Sequence, residues 1–191
     1  MEVYSTMKKW LLGVLSLSLC AGMTACSKNA VSSGPEEPKI NIVTPEEGFA
    51  TGYATDVMRT AFFDYTVNSG YTTAAYDTFT AEEGKVFLVV DITITNTQTK
   101  SCPMFDTDFQ VQWGEDEDPD AFSYPLTAYG ETPNGEMLPE EYELAISETR
   151  TGKLVYQVPQ GYHDFSVSYM EVYDTEETGD TFFAYFTAEQ R

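Results

Sequence analysis

Two runs of acidic residues carry the clearest potential for chemistry in this sequence. They occupy residues 115–120 and 174–180. Carboxylates clustered on a loop suit Ca²⁺, which takes about six to eight oxygen ligands. The residues predicted to hold calcium are Asp116, Asp118, Asp120, Asp174, Glu176 and Asp180. Neither run has the spacing of an EF-hand loop, so a solvated acidic surface is the alternative interpretation.

The abundance of carboxylates also allows a hydrolase. Glycoside hydrolysis uses two carboxyl groups about 5–10 Å apart on either side of a sugar-binding cleft. The chain has 31 acidic residues, and nothing in their spacing distinguishes one pair. A surface hydrolase acting through a carboxylate pair is therefore the enzymatic alternative, without assigned residues.

Histidine and cysteine offer little for catalysis. His163 is the single histidine, and it precedes Asp164 in a predicted turn. Because no serine lies in a G-x-S-x-G context, we predict an exposed turn residue and not a member of a catalytic triad. Cys102 lies beside Pro103 with no histidine nearby, so we predict a packing residue. One histidine and one remaining cysteine also argue against a zinc site.

Tyrosine is frequent and supplies candidates for ligand contact. A tyrosine in a loop can stack on a sugar or meet a protein partner, because its ring buries much area at little cost in entropy. The predicted loop tyrosines are Tyr71, Tyr76, Tyr129 and Tyr162. The alternative is that most tyrosines line the faces of sheets.

The N-terminus has the order of a signal peptide. Lys8 and Lys9 precede an apolar run at residues 10–19, and small residues follow up to Cys26. The residues before that cysteine, Met-Thr-Ala at 23–25, resemble a lipobox, the motif at which a diacylglyceryl group is attached to cysteine before cleavage. We therefore predict a lipoprotein signal peptide over residues 1–25 and lipidation at Cys26. An ordinary secretory signal is the alternative.

The segment after Cys26 is polar. Residues 27–45 are rich in Ser, Asn, Gly, Pro and Glu, which have little apolar surface to bury. We predict that residues 26–47 form a lipidated, flexible stalk and that residues 48–191 form the folded domain. The expected location is the cell membrane, lipid-anchored and facing the extracytoplasmic side.

The charge balance limits the partners. The formal net charge is −21, with 10 basic against 31 acidic residues. This charge argues against binding nucleic acid or anionic lipid head groups, because both are polyanions. The expected partners are the membrane through the lipid, and a component of the cell wall or a protein.

The sequence of the domain predicts a series of short strands separated by turn residues. The clearest is residues 86–95, where Val86, Leu88, Val90, Ile92 and Ile94 alternate with mostly polar residues. The candidate strand at residues 122–129 is interrupted by a proline, which predicts an edge strand because prolines in sheets are tolerated at edges. The predicted strands are residues 60–67, 86–95, 108–113, 122–129, 152–158, 165–173 and 181–186.

Seven such strands without a long amphipathic helix predict an all-β, immunoglobulin-like sandwich of two antiparallel sheets. Trp113 is expected to pack between the sheets. Residues 139–146 fit either one helical turn or an irregular crossover, and the sequence does not decide between them.

Two stretches of this sequence are similar to a known family. One runs from Gly84 through the strand that ends at Asn96 to Asp108 and Phe109, and the other is residues 151–159. Together they resemble a family of bacterial lipoprotein domains of unknown function with an immunoglobulin-like fold, grouped with small secreted immunoglobulin-like antigens. The resemblance implies the fold and export, and it supplies no active-site residues.

These observations predict a lipid-anchored, extracytoplasmic binding or structural module that is not an enzyme. Its ligand is unknown, and no cofactor is expected beyond the calcium of the acidic runs. The alternatives are the surface hydrolase and a calcium-loaded adhesion module.

Overall fold

The computed structural model describes residues 40–114, 120–132 and 134–191. These residues form fifteen strands and two short 3₁₀ helices. The strands are β1 Ile42–Val43, β2 Phe49–Tyr53, β3 Val57–Arg59, β4 Phe63–Thr73, β5 Ala75–Tyr76, β6 Phe79–Thr80, β7 Lys85–Asn96, β8 Cys102–Phe105, β9 Gln110–Trp113, β10 Phe122–Ser123, β11 Glu141–Leu144, β12 Thr149–Pro159, β13 Asp164–Val172, β14 Thr178–Thr187 and β15 Glu189–Gln190. The helices are η1 Asp106–Asp108 and η2 Leu126–Tyr129. In this part of the chain, no helix has the length and apolar character needed to cross a bilayer.

Two sheets form the body of the domain. The first has the order β1-β3-β4-β7-β12, with β15 also paired to β4, and the second has the order β10-β9-β13-β14-β2. Most pairs are antiparallel, whereas β1–β3, β4–β15 and β2–β14 are parallel. The predicted all-β sandwich is confirmed, and the seven main strands are β2, β4, β7, β9, β12, β13 and β14.

The core lies between the two sheets and follows from period-two alternation. Leu88, Val90, Ile92 and Ile94 of β7 are fully buried and face Val167 and other inward residues of the second sheet in one cluster. Burial of such a side chain contributes about 1.5–3 kcal/mol relative to exposure. Trp113 packs against this cluster while half-buried, in agreement with the prediction for it.

A second apolar cluster covers part of the outer side of the first sheet. Phe87, Val89 and Val155 point outward there and are buried by Leu126 of η2 and Met137. The hairpin of β5 and β6 contributes further cover. This is why four consecutive residues of β7, from Phe87 to Val90, are buried, a departure from simple alternation.

Two of the predicted segments differ from the structure. The strand predicted at 122–129 is only the two residues of β10, after which Pro125 precedes η2 and Gly130 ends it at φ +84°. The proline fixes a turn that the alternating pattern does not show. Its predicted edge position is correct, because β10 is the outer strand of the second sheet. Within residues 139–146, the structure contains the strand β11, which pairs with β8.

Strand pairing in the described residues begins before residue 48, the predicted start of the folded domain. β1 lies in the segment predicted as stalk, and its residues Ile42 and Val43 pair with Val57 and Met58 of β3. A two-residue strand has too little pattern to recognise in a polar segment. The predicted signal peptide and Cys26 lie outside the described residues.

Candidate binding face

The predicted calcium ligands are not brought together in the part of the chain that the structure describes. Asp174 and Glu176 are exposed in the β13–β14 turn, and Asp180 follows in β14. Asp116 and Asp118 lie outside the described residues. Over residues 40–114, 120–132 and 134–191, no group of three or more His, Cys, Asp or Glu side chains is arranged to hold a metal ion. Calcium binding by the loop of Asp116, Asp118 and Asp120 stays a prediction.

A buried carboxylate that the sequence did not predict lies next to the second acidic run. Glu171 is only 2% exposed. Its Oε1 accepts the N–H of Ala61 at 2.7 Å, and its Oε2 accepts the Tyr173 hydroxyl at 3.1 Å and the N–H of Asp180 at 3.2 Å. Gly179 permits this approach, since a Cβ there would lie 2.5 Å from Oε2. Glu171 therefore connects the β3–β4 turn to the β13–β14 hairpin.

Asp106 and Asp108 form the carboxyl pair that bears on the hydrolase alternative. Burial raises the pKa of Asp108 to about 6, and the nearby Asp106 carboxyl contributes in the same direction. The N–H of Phe105, 2.7 Å from Asp108 Oδ2, opposes this shift. Asp106 is 6% exposed, and its Oδ2 has no hydrogen-bond partner among the described residues. A buried Asp106 does not offer a second carboxyl to a substrate.

The remaining candidates lie apart from one another. Cys102 is buried, its Sγ is 3.9 Å from Met104 Sδ, and burial raises the pKa of its thiol, as expected of a packing residue. His163 is exposed in the turn between β12 and β13, also as predicted. Tyr71 and Tyr76 are not loop residues: both lie in strands and pack on the second apolar cluster.

The outer side of the second sheet forms a continuous surface, which we call the aromatic face. Strand register places Phe122, Gln112, Ser166, Tyr185 and Tyr53 in one row across all five strands. A second row contains Gln110, Ser168, Phe183 and Thr51, and a third contains Met170, Thr181 and Phe49. None of these twelve side chains is ionisable at neutral pH.

Aromatic rings dominate the β14–β2 half of this face. Phe183 and Tyr185 are stacked, with ring centroids 6.4 Å apart and an interplanar angle of 29°. The Tyr53 ring lies 6.4 Å from that of Tyr185. Tyr53 is 67% exposed, Phe49 55% and Tyr185 40%. In contrast, Ser166 and Ser168 of the central strand β13 are buried beneath their neighbours.

A cavity adjoins the β2 edge of the aromatic face. Its volume is 530 Å³, and Phe49 and Thr51 belong to both its lining and the face. The opposite lining includes Ile42, Glu46 and Glu47. The face is therefore continuous with a concave, partly acidic space.

The sequence contains a signal for this face. Residues 181–186 are Thr-Phe-Phe-Ala-Tyr-Phe, so two of the three outward positions, Phe183 and Tyr185, are aromatic as well as two of the three inward ones. A strand with one solvated face normally alternates apolar and polar residues. Aromatic residues at both sets of positions indicate that the outer side has a role beyond solubility.

The family assignment follows from a comparison of the sequence with family models. Residues 56–178 match the model described as "Domain of unknown function (DUF4352)". The chain belongs to this family. The resemblance predicted from the strand motifs is thereby confirmed. In this DUF4352 chain the matched residues stop where β14 begins, so Phe49, Tyr53, Phe183 and Tyr185 lie outside them.

Solved structures from Bacillus subtilis and Clostridium difficile are similar to this DUF4352 chain. A Bacillus subtilis protein described as a "putative lipoprotein (ycdA)" is 15% identical with a TM-score of 0.49, and the match covers 69% of this chain but only 38% of that one. The Bacillus subtilis yjhA protein is 16% identical, with coverage of 73% and 99% and a TM-score of 0.47. An uncharacterised β-sandwich protein of Clostridium difficile 630 is 12% identical, with coverage of 81% and 99% and a TM-score of 0.39. No curated protein matches the sequence.

Proposed function

We propose that this protein is a lipid-anchored, extracytoplasmic binding module that contacts its ligand through the aromatic face and performs no catalysis. One observation carries the proposal. A chain with a formal net charge of −21 keeps charge out of three consecutive rows of outward positions on its second sheet and fills many of them with exposed aromatic rings, and the acidic Asp164 lies only in the next row, opposite Thr187. In so acidic a protein, a sheet face exposed to solvent would normally carry charged residues.

Exposed aromatic surface of this kind supports a binding role. Soluble proteins rarely expose a contiguous apolar patch unless it contacts a partner, because water around the patch costs free energy. Phe49, Tyr53 and Tyr185 lie together on neighbouring strands and are each at least 40% exposed. Aromatic rings also bind at low entropic cost, since few torsions are fixed on binding.

The lipid anchor is tested by replacing its attachment residue. We expect Cys26→Ala to move the full chain from the membrane fraction to the soluble fraction, because cysteine alone supplies the thioether to the lipid. Cys20→Ala is the matched control and should leave the chain in the membrane fraction. Fractionation with labelled palmitate measures both properties. Membrane retention and labelling of Cys26→Ala equal to the parent would refute the anchor.

The role of the aromatic face is tested with two exposed tyrosines. In the full chain carrying Cys26→Ala, so that lipid does not hold the protein, we expect binding to delipidated bacterial wall fragments. Tyr53→Ala with Tyr185→Ala should weaken this binding at least about tenfold. Tyr129→Ala is the matched control, because Tyr129 is 65% exposed on η2, outside the face. Equal loss in both variants, or none in the double variant, would contradict the proposal.

The raised pKa of Asp108 favours a hydrolase as the second candidate function. A carboxyl group with a pKa of about 6 has the property required of a general acid. The test is release of reducing ends from wall glycan by the full chain and by Asp108→Asn. Release by the parent that Asp108→Asn abolishes would establish the hydrolase and overturn the non-enzymatic proposal.

A further inference from the structure

We infer that the ligand of the aromatic face is a neutral polysaccharide, whose sugar rings stack on Tyr53, Phe183 and Tyr185. This inference rests on the proposed function, and it specifies the chemistry of the ligand. It is carried by the charge distribution, the ring geometry, the polar side chains between the rings and the length of the face.

Charge complementarity favours a neutral ligand. The three rows of the face have no side chain that is charged at neutral pH, while the chain as a whole has a formal charge of −21. An anionic polymer would meet no positive group on the face and would be repelled by the rest of the surface. A second copy of the chain would also carry a formal net charge of −21, and the repulsion between the two copies disfavours face-to-face pairing.

The ring arrangement suits stacking against sugars. One side of a pyranose ring presents C–H bonds that are apolar and slightly positive, and the face of an aromatic ring is negative. The Phe183 and Tyr185 rings are inclined by 29° to each other with their centroids 6.4 Å apart, so two neighbouring aromatic rings are available to adjacent sugar units. Tyr53 adds a third ring on the edge strand β2, tilted by 45° to that of Tyr185.

The polar residues of the face supply uncharged hydrogen-bonding groups. Gln110 and Gln112 are half-buried on β9, and Thr51 and Thr181 lie among the rings. Their amides and hydroxyls can both donate and accept, as sugar hydroxyls do. A purely apolar ligand such as an acyl chain would remove these groups from water without pairing them, which costs free energy.

The dimensions of the face indicate a polymer and not a single sugar. Strands lie about 4.8 Å apart, so the first row, from Phe122 to Tyr53, extends about 19 Å across the five strands. The cavity lined by Phe49 and Thr51 adjoins the second and third rows at β2. A chain of several sugar units contacts the whole row, whereas a monosaccharide contacts only part of it.

Binding to pure polysaccharides is the first test. The full chain carrying Cys26→Ala is sedimented with insoluble chitin and with cellulose, both neutral, and with polygalacturonate gel, which is anionic. We expect binding to at least one neutral polymer, weakened at least about tenfold by Tyr53→Ala with Tyr185→Ala and unchanged by Tyr129→Ala. Raising the salt concentration should not release it, because no charge pairing is involved. Binding to polygalacturonate alone would overturn the inference.

Treated wall fragments separate this inference from the proposed function. Anhydrous hydrogen fluoride cleaves glycosidic bonds, including those of acetamido sugars, and spares peptide bonds, whereas a protease digests proteins. Face-dependent binding that hydrogen fluoride abolishes and the protease spares supports the inference even where neither pure polymer binds. Face-dependent binding that the protease abolishes and hydrogen fluoride spares overturns the polysaccharide while leaving the binding module intact. Binding that does not depend on Tyr53 and Tyr185 overturns both.

Discussion

At the scale of single residues, the buried carboxyl group of Glu171 and the half-buried one of Asp108 differ in what compensates their loss of contact with water. Glu171 accepts three hydrogen bonds, from two backbone N–H groups and one hydroxyl. Asp108 accepts a hydrogen bond from the N–H of Phe105 and lies beside a second acid, Asp106. Donors favour the ionised form and neighbouring negative charge disfavours it. Glu171 should therefore stabilise the fold, whereas Asp108 ionises at a cost.

Removing the Glu171 carboxylate should destabilise the domain. In Glu171→Ala the N–H groups of Ala61 and Asp180 and the Tyr173 hydroxyl lose their acceptor. We expect the free energy of unfolding to fall by about 2–4 kcal/mol, measured by urea denaturation. Asp174→Ala changes an exposed acid of the same hairpin and should alter the free energy of unfolding by less than about 0.5 kcal/mol. Equal effects of the two variants would show that Glu171 is not a specific connection.

Ionisation of Asp108 should lower stability as the pH rises. Its pKa is about 6 in the folded state against an ordinary value of 3.8, so the folded state holds the proton more tightly. The stabilisation is complete below about pH 4 and is lost as the pH rises through 6. Asp108→Asn does not ionise, so its stability relative to the parent should rise over this window by about 1–3 kcal/mol. Urea denaturation across a pH series measures this difference, and a difference independent of pH would contradict the assignment.

Residue types alone predicted some of these roles. His163 and Cys102 were predicted as an exposed turn residue and a packing residue, and the structure agrees. Glu171 was not predicted, because alternation along β13 gives its inward direction but not its donors. Those come from Ala61, far away in sequence, and from the hairpin turn. Partners this distant are fixed by tertiary packing.

At the scale of elements, β4 shows how one extra residue changes which side chains point inward. The register against β7 shifts between Val67 and Ser69, so Asn68 is unpaired in a β-bulge. After the bulge, Gly70 and not Ser69 faces the core. A Cβ at Gly70 would lie 2.3 Å from the ring of Phe186 in the opposite sheet. Glycine here allows the two sheets to approach closely.

A side chain at Gly70 should separate the sheets locally. We expect Gly70→Ala to lower the free energy of unfolding by about 1–3 kcal/mol, because the buried Phe186 ring must move. Ser69→Ala alters the adjacent exposed residue and is the matched control. Thermal and urea denaturation of both variants measure the difference. Stability of Gly70→Ala equal to that of the control would show that the ring has room to move.

Strong alternation was sufficient to predict most long strands, and its absence explains the errors. β7, β12, β13 and β14 were predicted within a few residues because each alternates over its length. β4 was predicted only to residue 67, since the bulge at Asn68 interrupts the alternation. β2 was missed because its inward residues are Ala50 and Gly52, which are too small to give an apolar pattern.

At the scale of the whole molecule, charge is arranged unevenly. Several basic side chains form ion pairs with acids: Arg59 with Asp64, Lys85 with Glu82, Arg150 with Glu148, Lys153 with Glu136 and Arg191 with Glu189. The excess acids therefore determine the surface potential, and the aromatic face stands out by carrying no charge in its rows. The sequence predicted the acidity and the sandwich. It did not predict the face, because the face depends on the order of strands in the second sheet.

The most direct test of the binding face is hydroxyl-radical footprinting of the full chain with and without delipidated wall fragments. We expect oxidation of Tyr53, Met170 and Tyr185 to slow several-fold on binding, since all three lie on the aromatic face and are at least 40% exposed. Tyr129 and Ile146, which are exposed outside the face, should react at unchanged rates. Protection of Tyr129 and Ile146 with no protection of the face would contradict the account.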